Sequence, residues 1–132
     1  KLLDNGLETP TMTESPSLVV IKQAMQYGGT VLIAGNSFRG NRGVQVEKAA
    51  NRVVWLRDVV DWSMEQNLFE DNEVENLVWL ESSAFEATGM FRWNQIIGNT
   101  TWGYTVVLKH MIVFMDGKVV YFCDGNLFME ND

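Results

Sequence analysis

One cysteine, one histidine and two prolines are all that this 132-residue sequence holds of the residues that most often mark disulfides, metal centres and rigid turns. Cys123 has no second thiol to pair with, and with His110 it offers too few donors for a structural zinc site. No metal and no cofactor are therefore expected, and the lack of a cystine framework favours a reducing, cytoplasmic setting. Long apolar runs are missing as well. None approaches the roughly 18 consecutive residues that would cross a bilayer, and no basic segment leads through an apolar stretch to a small-residue cleavage site, so neither a membrane span nor a signal peptide is expected. Bases are scarce: 10 Lys and Arg stand against 17 Asp and Glu, for a net charge of -7. A binder of nucleic-acid backbone gains its affinity from clustered cations that release counterions, and this balance argues against one.

What the chain does hold is apolar material, 46% of its residues, enough for one domain with a real core. Its charges are segregated. Between positions 39 and 57, Arg39, Arg42, Lys48, Arg52 and Arg57 are opposed by Glu47 alone, whereas 58–86 carries nine carboxylates and no base. Such a block reads as a solvated helix end with a surface loop, or alternatively as an acidic surface that docks on a basic partner.

Residues 1–14 lack periodicity and read as a flexible tail, with a single α+β domain over 15–132. Ser15-Pro16 has the form of a helix start, Leu18, Ile21, Ala24 and Met25 share a helical face, and Gly28-Gly29 would end it. Thr30 to Ala34 reads as a short buried strand, followed by the loop GNSFRGNRG at 35–43. Val46, Ala49, Val53, Leu56, Val60 and Met64 recur at helical spacing and predict a long helix over 44–66, with Trp55 and Trp62 nearly opposite that stripe. Leu77 to Ala87 and Met90 to Ile97 suggest a hairpin about Thr88-Gly89.

The end of the chain offers a second hairpin, with Tyr104 to Met115 and Lys118 to Cys123 flanking Asp116-Gly117. That turn would set Lys109 opposite Asp124 and His110 opposite Cys123. Both faces of such a hairpin are apolar, which calls for helices on one side and a second subunit on the other, hence a homodimer.

Four constellations carry candidate chemistry. The Gly-rich loop 35–43 lacks both phosphate-binding signatures, and reads as a connection. His110 beside Cys123 is the minimum nucleophile–base pair, or a structural pair in an apolar sheet. Lys109 with Asp124, near Glu81, could place a desolvated carboxylate in an apolar cavity as a general base, or form a simple ion pair. Asn99-Thr100-Thr101 matches the N-glycosylation pattern.

The order of these elements resembles the ketosteroid-isomerase-like, or SnoaL-like, superfamily. RGNRGVQVEKAANRVVWL is similar to that family's glycine-led helix, NLVWLE to the strand after it, and MDGKVVYFCDGNLF to its last turn and strand. The resemblance implies a curved antiparallel sheet wrapped around a long helix, a cone that binds a small apolar molecule, and dimerisation through the sheet's outer face. The limonene-epoxide-hydrolase branch is nearest, and its carboxylate near the chain end would fall on Asp124. Ser82 and Ala84 stand where that branch has an arginine and a second aspartate, so a diverged isomerase, dehydratase or hydrolase, or a binding domain, is implied instead. On this reading Asp124 and Lys109 are the catalytic candidates, Trp79, Glu81, Met111 and Phe122 line the ligand site, and His110 and Cys123 lie on the dimer side. The alternatives are a non-enzymatic acidic interaction module and a Cys–His enzyme.

Overall fold

The computed structural model describes residues 2–3, 17–22, 30–43, 51–82, 87–110 and 119–132. Within them every regular element is a strand. After β1 (Leu2–Leu3), the chain repeats a triplet four times: β2 (Ser17–Lys22), β3 (Thr30–Ala34), β4 (Ser37–Arg39); β5 (Arg52–Arg57), β6 (Asp61–Glu65), β7 (Leu68–Glu70); β8 (Glu73–Ser82), β9 (Ala87–Arg92), β10 (Gln95–Ile97); β11 (Thr100–His110), β12 (Val119–Asp124), β13 (Leu127–Met129). First members stack as sheet A (β2, β5, β8, β11), second members as sheet B (β3, β6, β9, β12), and third members with β1 as the short sheet C. All these pairings are parallel, and each strand bonds to its counterpart one triplet away. Parallel neighbours need a crossover between them. Here the crossover is the rest of the coil, so the chain is a parallel β-solenoid of three sheets.

Two tight corners of each coil explain why the chain turns where it does. The residues before the corner asparagines, Gly35, Gln66, Trp93 and Gly125 at the first corner and Gly40, Asp71, Gly98 and Glu130 at the second, all have φ between 53° and 65°. The asparagines themselves, 36, 67, 94 and 126, then 41, 72, 99 and 131, form two hydrogen-bonded ladders. In the first three coils the backbone N–H donates to the Oδ1 of the asparagine one coil on, as from Asn67 to Asn94 at 3.0 Å and from Asn72 to Asn99 at 3.1 Å. In the last three the Nδ2 also reaches back to a carbonyl of the preceding coil, as from Asn94 to Met64 at 2.9 Å and from Asn99 to Phe69 at 3.0 Å. Buried corner backbone that faces no strand partner is thereby satisfied by side chains.

Inside, like positions pile on like. Val19, Val54, Val78 and Val106 are in register on sheet A, as are Ile21, Leu56, Leu80 and Leu108. Phe38 and Phe69 of sheet C stack with centroids 4.8 Å apart. Sheet B alternates size: Trp62 occupies the space under Gly89, where an added Cβ would lie 2.1 Å from the ring's Cζ2. The third-position residues Phe38, Phe69 and Ile96 are fully enclosed, whereas Phe128, the same position of the last coil, is 53% exposed.

This architecture overturns the α+β expectation and the cone that the family resemblance implies. The predicted helix over 44–66 is replaced, in its described part, by β5 and β6, with Asp58 at φ 57° between them. Its apparent helical stripe mixes inward positions of two strands: Val53, Leu56 and Met64 are all buried, but from different sheets. Val53 and Val54 carry the β-branching that disfavours helix. The first predicted helix likewise meets strand β2, and the 77–97 hairpin dissolves because β8 and β9 belong to different sheets. The terminal hairpin does too: β11 pairs with β8 and β12 with β9, so Lys109 lies beside Glu81 and Asp124 beside Arg92, His110 beside Ser82 and Cys123 beside Phe91. The strand at 30–34 is where it was expected, though only Ile33 of it is buried. Leu2–Leu3, expected in the tail, pairs with Phe38–Arg39. Ser15-Pro16, Gly28-Gly29, Met111 and Asp116-Gly117 lie outside the described residues.

The charge segregation also finds its cause. Bases stack against acids of an adjacent coil: Arg39 on Glu70 at 2.5 Å, Arg42 on Glu73 at 3.3 Å, Arg57 on Glu81 at 3.7 Å, and Arg92 on Glu65 of the coil before it at 3.2 Å. These exposed pairs each contribute about 0–1 kcal/mol. They offset part of the charge of the acidic segment, which lies on strands and their corners rather than at a helix end.

Candidate recognition face on sheet A

Four successive strands of sheet A share one local pattern: VVIK at 19–22, VWLR at 54–57, VWLE at 78–81 and VVLK at 106–109. The first and third positions enter the core, so Val20, Trp55, Trp79 and Val107, and with them Arg57, Glu81 and Lys109, belong to the outer face. That alternation sets Trp55 beside Trp79 and Arg57 beside Glu81, with Lys109 next along the stack. Parallel strands put these rows about 4.8 Å apart.

Glu81 ties the aromatic pair together. Its Oε1 accepts the Trp55 indole N–H at 3.2 Å and its Oε2 accepts that of Trp79 at 3.0 Å. The guanidinium of Arg52 lies against both rings, its Cζ 4.6 Å from the Trp55 centroid and 4.8 Å from that of Trp79. Arg57 approaches Trp55 from the other side, at 6.0 Å. Tyr104, one coil beyond Trp79, tilts against it with centroids 6.4 Å apart and is 63% exposed. Burial pulls the Arg52 guanidinium below its ordinary pKa, against the opposing pull of Glu81 and Glu75. Cations over indoles are held by the ring quadrupole; here the rings are themselves oriented by a carboxylate, which makes the face rigid.

The sequence-derived candidates are divided by this geometry. Trp79, Glu81 and Lys109 share the outer face of sheet A, while Asp124, Cys123 and Phe122 belong to sheet B. Asp124 and Lys109 therefore form no pair, and neither do His110 and Cys123. Cys123 continues the row of Ile33, Met64 and Phe91, but on the last coil it is exposed; partial desolvation still pushes its thiol pKa up, contrary to what a thiolate nucleophile needs. Trp62, expected on one surface with Trp55, lies in a different sheet, and both rings are buried. Asn99 of the glycosylation pattern is 1% exposed, and its amide is spent on Phe69, Ile97 and Asn131.

Arg52 and Tyr104 were not among the candidate residues drawn from the sequence, and Trp55 entered only with Trp62 as a helix side for a partner, although two signals pointed to this face. One is the repeated Val-Trp-Leu at 54–56 and 78–80; the other is the recurrence of asparagine five residues apart at 36/41, 67/72, 94/99 and 126/131, which marks coil corners. Among the described residues no group of three or more His, Cys, Asp or Glu is placed to hold a metal ion, and no helix is long and apolar enough to cross a membrane.

The fold and this face define a class, a parallel β-solenoid with an aromatic and charged outer sheet. No family model, no curated protein and no solved structure matches the chain.

Proposed function

We propose that the chain is a non-catalytic recognition module that binds a carbohydrate polymer along the outer face of sheet A. The observation that carries this reading is the pair of half-buried Trp79 and exposed Tyr104 on consecutive coils, with Glu81 locking the Trp79 indole to that of the buried Trp55 beside it. A sugar ring offers an apolar C–H face and polar edges; an aromatic plate bordered by Arg, Glu and Lys matches both. The rise of about 4.8 Å from coil to coil is of the order of one sugar ring, so an extended glycan can meet successive coils in step. Solenoids present such long surfaces because each coil repeats the one before.

The small apolar ligand expected from the resemblance required a cavity inside a cone; the interior stacks of the middle coils are filled by their own side chains. The homodimer expectation rested on the second apolar face of the terminal hairpin and is set aside with it. A glycan polymer also moves the proposed setting outside the cytoplasm, with which a lone cysteine is compatible.

Titration with glucan, xylan and uronic-acid hexasaccharides, followed by tryptophan fluorescence, tests the reading. Saturable binding to at least one is expected, weakened about tenfold or more by Trp79→Ala or Tyr104→Ala, the usual cost of removing a central aromatic anchor. Absence of binding to all three, or binding indifferent to both substitutions, overturns it.

A further inference from the structure

Arg52 differs from every other arginine of the chain. Arg39, Arg42, Arg57 and Arg92 each lie within 4.0 Å of a carboxylate one coil or one residue away, at 2.5, 3.3, 3.5 and 3.2 Å. The Nε of Arg52, like that of Arg92, is buried without a hydrogen-bond acceptor. Arg92 nevertheless meets Glu65 through its Nη2, whereas Arg52, only half-buried as a whole, meets no carboxylate at all within that distance among the described residues. The two nearest acids do not supply one: Glu81 is spent on both indoles and on Arg57, and Glu75 acts only through space. A guanidinium packed against two rings has given up hydration that cation–π contact returns only in part. The deficit is directional, because guanidinium presents donors in a planar fork that fits a carboxylate with two parallel hydrogen bonds.

The position matters as much as the deficit. Arg52, Asn76 and Tyr104 fall in one row across sheet A, so the fork lies two coils from the exposed Tyr104 ring. We infer that the polymer bound on this face is an acidic glycan, and that Arg52 selects it by taking a sugar carboxylate. This rests on the carbohydrate reading above and deepens it. Long-range attraction is not the driving force, since the chain carries a net charge of -7 and Glu75, Glu81 and Asp58 share the face. Recognition is by contact, so moderate salt reduces affinity only modestly.

The test compares a glucuronate-containing hexasaccharide with its carboxyl-reduced, neutral counterpart by isothermal titration calorimetry. The unmodified chain is expected to prefer the acid form by about tenfold or more, the size of one charge-assisted bidentate contact. Arg52→Gln should erase that preference, read as the ratio of the two affinities, and Arg52→Lys should restore only part of it, with circular dichroism confirming that both variants fold. Equal affinity of the unmodified chain for the two sugars, or a preference that survives Arg52→Gln, overturns the inference and leaves the carbohydrate reading standing. Failure of both sugars to bind removes the two together.

Discussion

Replacing Asn72 with alanine is the sharpest test of what holds the coils together. Asn72 is buried, and its Oδ1 accepts the backbone N–H of Asn41 at 3.1 Å and the Asn41 amide at 2.6 Å. Its Nδ2 donates to the Phe38 carbonyl at 3.0 Å and to Asn99 Oδ1 at 2.7 Å. Alanine removes all four and strands two buried donors of Asn41. At about 1–3 kcal/mol for each buried group left unsatisfied, with the lost carbonyl contact added, the substitution costs about 3–6 kcal/mol. That is a large part of the roughly 5–15 kcal/mol that holds a domain of this kind together. Asn126→Ala is the matched control. It also removes an Oδ1 that accepts from the coil below, at 2.9 and 3.0 Å from Asn94, but at the partly buried corner of the last coil, where water can replace it, so about 1–2 kcal/mol is expected. Urea unfolding followed by circular dichroism measures both. A cost for Asn72→Ala below about 1 kcal/mol, or one equal to that of Asn126→Ala, would refute the claim that buried ladder rungs carry the corners.

Gly89→Ala drives a methyl group into the Trp62 ring and should destabilise by about 1–3 kcal/mol, with part of the loss recovered when Trp62→Leu is added; equal unfolding midpoints for Gly89→Ala and the parent would contradict the packing described for sheet B. Gln66→Gly relieves a left-handed conformation at φ 55° that a side chain disfavours, and a gain of about 1 kcal/mol in urea unfolding is the expected result. The Glu65 carboxyl is held below its ordinary pKa of 4.5 by the Ser63 hydroxyl and then by Arg92. Its stabilising effect is therefore fully present above that value and fades as pH falls through the lower folded pKa. Unfolding of Glu65→Gln and the parent, compared from pH 6 down to pH 3, should converge toward the acid end, and a gap that widens there would show the sign to be wrong.

Much of this protein was legible in the residues before any coordinates, and much of that was attached to the wrong neighbours. The strand at 30–34, the apolar character of 104–110 and 119–123, the lack of a cystine framework and the segregation of charge all belong to the chain itself. What local pattern could not decide was pairing. VVIK, VWLR, VWLE and VVLK are each compatible with an antiparallel partner close in sequence, and the apparent Lys109–Asp124 pair seemed to choose one. The structure instead joins residues 24–35 positions apart, because corner asparagines about 30 residues from one another satisfy each other's buried backbone. That repeat is written in the sequence as Asn-x4-Asn, yet it has no meaning for a single corner; only a neighbour one coil away supplies the acceptor.

The same division holds for the candidate face. Trp79 and Glu81 are two residues apart, so the sequence alone placed them on one side of a strand. Arg52, Trp55 and Tyr104 join them only because successive coils stack in parallel register. Composition set what the chain could bury and which charges it carried. Stacking decided which arginines met a carboxylate and which one was left against two indoles, since that outcome depends on the coil above and the coil below rather than on any residue's own neighbours in sequence.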